Sequence, residues 1–197
     1  MTELVTAVRQ ACEDVGFFAV VDHGIESSLL EGQRRECAAF FERPPQSTIL
    51  GMVDTALHRF AWLDLVPPAA GDGCGASGAW SLGPVAGRGS MPWQPDTQAL
   101  AKTWSAYYAA MEQLVALLMQ LMALALGLPA TAFDAALTGH RSSMRAILYA
   151  EVSEAELDQA GGIVIRTEEH TDWGCLTVLL ADVDVEGLEV RLKEQRQ

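Results

Sequence analysis

The chain has 197 residues, half of them apolar and a fifth charged, with a formal net charge of −13. That length supports one domain with a sizeable core, and that balance excludes wholesale disorder. The negative charge argues against nucleic acid or an anionic membrane surface as the main partner, because both require a basic footprint.

Thr2 can cap a first helix running to about Val15, with Leu4, Val5, Val8 and Cys12 at helical spacing. Gly16 ends it, and the aromatic and β-branched run Phe17 to Val21 predicts a buried strand. Asp22-His23-Gly24 then reads as a turn whose His is satisfied by a backbone or carboxylate partner. Ser28-Leu29-Leu30-Glu31 fits a capping box for a second helix to Phe41, which Pro44-Pro45 stops. Cys37, Phe40 and Phe41 are its expected inner face, and Arg34, Arg35 and Glu36 its wet one.

His58 and Arg59 precede an apolar run from Phe60 to Val66, and His58 reads as a surface or packing residue. From Pro67 to Pro95 seven glycines and five prolines predict irregular chain. Gly73-Cys74-Gly75-Ala76-Ser77-Gly78 matches a dinucleotide fingerprint in letters only. That motif needs a strand before it and a helix opening at it, and Pro67-Pro68 and Pro84 interrupt both. A loop is the better account.

Asp96 can cap the longest helix, to about Leu126. Trp104, Tyr107, Tyr108, Met111, Val115, Leu118, Met122 and Ala125 repeat at three and four, as a core-facing stripe does. Gly127 and Pro129 terminate it, and a short helix from Thr131 to Leu137 follows. After Gly139 the period changes. Met144 to Ala150, Gly162 to Arg166, Cys175 to Leu180 and Leu188 to Leu192 are strand candidates. The order predicts an α+β protein, with a mainly helical region over 1–140 and an antiparallel sheet entered over 141–197.

Cys12, Cys37, Cys74 and Cys175 form no C-x-x-C and no disulfide framework, which fits reduced thiols and a cytoplasmic location. The first residues lack a secretory leader pattern, and the apolar run Leu114 to Leu128 is short for a membrane span. The absence of Asn excludes N-glycosylation of this sequence. From Glu151 to Gln197 there are 12 acidic and 4 basic residues, read as a solvated surface.

Chemistry concentrates in Glu168-Glu169-His170-Thr171-Asp172-Trp173-Gly174-Cys175-Leu176-Thr177-Val178-Leu179-Leu180. On an extended segment His170 and Asp172 send their side chains to one face. An imidazole nitrogen and a carboxylate oxygen then converge, as in the two-His, one-carboxylate arrangement that holds non-haem Fe(II). Trp173 can wall the pocket or join the core, and Glu168 and Glu169 read as solvated or supporting residues rather than ligands.

His-Thr-Asp-Trp-Gly with its apolar tail, followed by Glu186-Gly187-Leu188-Glu189-Val190, resembles the iron-binding segment of the isopenicillin N synthase-like 2-oxoglutarate/Fe(II)-dependent dioxygenases. Val15 to Ile25, Met91-Pro92-Trp93 and the helix ending Leu126-Gly127-Leu128-Pro129 are similar to other segments of that family. The resemblance implies a double-stranded β-helix, or jelly roll, entered by the late strands and incomplete at the C-terminus. It implies Fe(II) on His170, Asp172 and a further His, with 2-oxoglutarate and O₂ as co-substrates. The reaction implied is oxidative decarboxylation of 2-oxoglutarate coupled to hydrogen abstraction from a small-molecule substrate. Met144 to Ala150 resembles the strand before the iron motif, where a Tyr matching Tyr149 hydrogen-bonds the oxoacid; Ile147 stands where the family often has Asn.

The family's second iron-binding His and its Arg-x-Ser pair lie beyond the Gly-Leu-x-Val strand, where this sequence offers only Arg191 to Gln197. Two readings therefore stay open: an oxygenase, or a truncated or degenerate non-catalytic relative with a partial metal site. His23, His58 and His140 all lie upstream of the motif, and none is well placed to supply the further ligand. A zinc hydrolase would need a general base and a closed ligand set, and the sequence provides neither. The oligomeric state is not legible.

Overall fold

A computed structural model describes residues 2–42, 51–54, 59–64, 79–83, 97–138, 140, 142, 144–149, 152–165, 167–172, 174–182 and 187–192. The expectations for His58, residues 73–78, Met91-Pro92-Trp93, Asp96 and Trp173 lie outside the described residues. In chain order the elements are α1 (Thr2–Asp14), α2 (Ser27–Phe41), β1 (Gly51–Asp54), β2 (Arg59–Asp64), β3 (Ala79–Gly83), α3 (Gln98–Ala125), α4 (Asp134–Thr138), β4 (Ala146–Tyr149) and α5 (Glu154–Gln159). Helix outweighs strand among them.

Two compact units divide the chain: Met1–Ser27 with Tyr107–His140 and Trp173–Gln197, and Ser28–Ala106 with Arg141–Asp172. In the first, α3 buries Tyr107, Leu114, Leu118, Met119, Ala123 and Ala125, and α1 buries Val8. The Cys12 thiol donates to Met122 Sδ at 3.7 Å, a sulfur contact tying those helices. Gly127, at φ +75°, ends α3. Its N–H reaches the Leu124 carbonyl and that of Leu128 the Ala123 carbonyl, both at 2.9 Å. Those two bonds satisfy carbonyls the helix end leaves open, and the left-handed residue between them favours glycine.

The second unit is centred on Phe40 of α2 and Leu100 and Trp104 of α3, with Cys37, Phe41, Met144 and Ala146 packed against them. Phe40 and Phe41 meet edge to face at 5.6 Å between centroids. Its sheet has the order β1-β2-β3-β4, antiparallel throughout. Asp54 pairs with Arg59, Trp62 with Gly83, and Ser81 with Ile147. β4 is therefore an edge strand, reached from the core through Met144. After it, Ser153 caps α5: its hydroxyl accepts from the Glu156 N–H, and the Glu156 carboxylate accepts from the Ser153 N–H. That box satisfies two open donors reciprocally.

Several expectations are corrected. Phe17 to Val21 forms no strand; Phe17 is 54% and Val21 77% exposed. The described parts of 162–166, 175–180 and 188–192 also lack ladder bonds. Alternation gives a segment strand preference, but a ladder needs a partner backbone, and without one the apolar side chains stand open. Conversely, β1, β2 and β3 arise where the sequence pattern was poor. Glycine and proline around 65–95 hide the short run Ala79-Trp80-Ser81-Leu82, all of which becomes an inner strand. α2 begins at Ser27, so Ser28 lies inside the helix rather than capping it. α5 was missed although Ser153-x-x-Glu156 announces it.

Candidate metal centre

Beyond α5, Gly161 at φ +70° turns the chain, and the Gly162 N–H closes back on the Leu157 carbonyl at 2.7 Å. The segment that follows is open, with Ile163 75% and Ile165 66% exposed. A side-chain contact ties it to the sheet edge. The Tyr149 hydroxyl at the end of β4 lies 3.0 Å from the Thr167 hydroxyl. Three residues later comes His170.

His170 Nδ1 is 2.8 Å from the Glu168 carbonyl oxygen. A carbonyl only accepts, so Nδ1 carries the hydrogen and, in the neutral ring, Nε2 carries the lone pair. Nε2 lies 3.3 Å from Asp172 Oδ1. Imidazole nitrogen and carboxylate oxygen are then two acceptors close together, which a water can bridge at this exposed site and which a cation can join directly. Protonating the ring is one way to join them, giving an exposed ion pair worth about 0–1 kcal/mol. A divalent metal is another. A ligating His normally gives its other N–H to a carbonyl or carboxylate, as Nδ1 does here. The donor pair fits a divalent first-row metal.

Other candidates are engaged elsewhere. His23 Nδ1 accepts from the Ile25 N–H at 3.1 Å, the turn role expected for it, beside Asp22 in the left-handed region at φ +52°. His140 Nε2 is 3.0 Å from Glu112 Oε1 across α3 and the end of α4. Among the described residues no group of three His, Cys, Asp or Glu side chains converges. Burial pushes the Cys37 thiol up to about 12, helped by the Glu36 carboxylate and opposed by the Gln33 amide, so it is neither a thiolate ligand nor a nucleophile at neutral pH. Two contributors escaped the sequence pattern: the Glu168 carbonyl, since any residue offers one, and Thr167, whose partner is eighteen residues away.

A family profile for the N-terminal region of non-haem dioxygenases in morphine synthesis matches residues 1–47. The chain is 27% identical to the 2-oxoglutarate-Fe(II) type oxidoreductase hxnY of Emericella nidulans, over 95% of this chain and 58% of that protein. It is 29% identical to jasmonate-induced oxygenase 4 of Arabidopsis thaliana, over 93% and 52%. It is 26% identical to naringenin,2-oxoglutarate 3-dioxygenase of Matthiola incana, over 95% and 51%. The chain thus spans about half the length of the curated relatives it matches. Over more than nine-tenths of its length, then, the chain is similar to 2-oxoglutarate/Fe(II)-dependent oxygenases, and its own His-Thr-Asp-Trp-Gly segment carries the donor pair described above.

Proposed function

We propose that this chain carries the first part of the iron site of a cytoplasmic oxygenase that couples oxidative decarboxylation of 2-oxoglutarate to hydrogen abstraction from a small molecule. The observation that carries the reading is the acceptor-to-acceptor approach of His170 Nε2 and Asp172 Oδ1 at 3.3 Å. His170 and Asp172 hold Fe(II), and Tyr149 offers its hydroxyl to the oxoacid. When bound, the metal supplies the redox chemistry by which O₂ and 2-oxoglutarate yield succinate, CO₂ and an oxidised substrate. The chain's own tasks are ligation and orientation. The Glu168 carbonyl fixes the His170 tautomer so that Nε2 presents its lone pair. Asp172 supplies the anionic donor that neutralises part of the metal's charge. In this reading 1–140 is the helical region and 141–197 opens a jelly roll, whose strands 162–166, 175–180 and 188–192 form when partner strands are supplied.

A second reading, a non-catalytic relative with a partial site, is favoured by one observation: among the described residues no third His, Cys, Asp or Glu side chain joins His170 and Asp172. Anaerobic titration with Mn(II) or Co(II) tests the shared part. Asp172→Ala should abolish binding and Glu169→Ala should leave it unchanged; equal effects would remove the case for this pair. Release of succinate from 2-oxoglutarate with Fe(II) and O₂, measured on a form of the protein that also carries the further His and the Arg-x-Ser pair, then separates the two readings, and its absence there favours the second.

A further inference from the structure

We infer that Thr167 is a positioning residue for the metal centre, anchoring the His170–Asp172 segment to the sheet edge through the Tyr149 hydroxyl. This rests on the metal reading above. The two hydroxyl oxygens are 3.0 Å apart and eighteen residues apart in sequence. β4 holds its end of the contact firmly, because Ala146 to Tyr149 pair with Leu82 to Ala79 of β3. The other end lies outside the sheet. Residues 167–172 form no ladder, and His170 and Asp172 are 60% and 52% exposed at their side chains.

An exposed segment outside any ladder samples many backbone conformations, and each residue fixed on metal binding costs about 1–2 kcal/mol of entropy. A tether three residues before the first ligand removes part of that freedom beforehand. At about 3.3–3.6 Å per residue the chain can carry His170 no farther than about 11 Å from Thr167, so ligand placement stays coupled to the anchor. The hydroxyl pair also has a direction that suits the site. If Thr167 donates to Tyr149, the phenol keeps its own hydrogen for an incoming anion.

The test uses the full chain and four variants: Thr167→Val, Thr167→Ser, Tyr149→Phe, and Thr167→Val with Tyr149→Phe. Mn(II) affinity is measured anaerobically, and backbone ¹⁵N order parameters are measured over 168–172 without metal. Thr167→Val and Tyr149→Phe should each weaken Mn(II) binding about threefold to tenfold, as loss of one hydrogen bond does. The double variant should be no weaker than either single one, because both remove the same interaction. Thr167→Ser should keep wild-type affinity. Order parameters should fall in Thr167→Val and recover in Thr167→Ser, which a merely bulky side chain at 167 would not produce. Additive losses, or a Ser variant as poor as the Val one, overturn the proposal. So do unchanged order parameters in Thr167→Val. His170→Ala separates this from the metal reading: if it leaves Mn(II) affinity intact, the metal reading fails, and the anchor stands or falls on the order parameters alone.

Discussion

Helix α3 and the described segments between Ile163 and Leu192 are both rich in apolar residues, yet of these described residues only α3 becomes regular. The helix closes its hydrogen bonds within itself, so its pattern needs only a face to bury, and Leu100, Trp104, Leu114, Leu118 and Ala123 find one. The late segments carry strand patterns whose bonds must come from elsewhere. Leu179, Leu188 and Leu192 stay 60–64% exposed. The candidate metal ligands lie among these segments, where little packing opposes movement. Stability and chemistry are therefore placed in different residues, and substitutions should separate them.

The largest expected effect is in the packed region. Trp104→Ala removes a residue only 3% exposed from a small core. It should cost about 3–5 kcal/mol in urea unfolding, whereas Leu179→Ala should change stability by no more than about 0.5 kcal/mol. Similar losses from the two would erase the contrast. Cys37, packed against the same core, makes the region pH-sensitive. Its thiol ionises near 9 in an unfolded chain and at about 12 when folded, so the folded state holds the proton more tightly. Its contribution is intact below about 9 and is lost as pH rises towards 12, at up to about 1.4 kcal/mol per unit. Denaturation at pH 8 and 10.5 should show this loss in the wild type and less of it in Cys37→Ala.

The same contrast explains what could be read in advance. α1, α2 and α3 were legible because helical spacing and terminating glycines are local signals, and Gly127 closes α3 as expected. β4 was legible from Ala146 to Tyr149, but its partner was not. β3 sits in a stretch whose glycines and prolines outweigh five residues of strand, and pairing across more than sixty residues leaves no local trace. At the metal centre the two-residue spacing of His170 and Asp172 was readable. The Tyr149–Thr167 contact depends on tertiary placement and carries no motif.

A smaller effect belongs to α5, which lies between the two kinds of region. Ser153→Ala removes one half of its capping box and should cost about 1 kcal/mol, concentrated in α5. Loss of amide protection confined to 154–160 would fit that picture. A global loss of protection would mean that α5 supports more of its unit than its exposed residues suggest.

The smallest effect on stability is expected at the metal centre itself. Without metal, His170 and Asp172 form at most an exposed ion pair, 60% and 52% open at the side chain. Such pairs contribute about 0–1 kcal/mol, so Asp172→Ala should leave the metal-free midpoint within about 0.5 kcal/mol of wild type. Adding Mn(II) should then divide the two proteins. A ligand that binds only the folded state stabilises it by RT ln(1 + [L]/Kd), and at one hundred times Kd that is about 2.7 kcal/mol. The wild-type midpoint should rise with metal concentration along that curve, while the Asp172→Ala midpoint stays flat. If the variant is already unstable without metal, the pair is a structural ion pair after all. If both proteins respond equally, the metal binds elsewhere on this acidic chain.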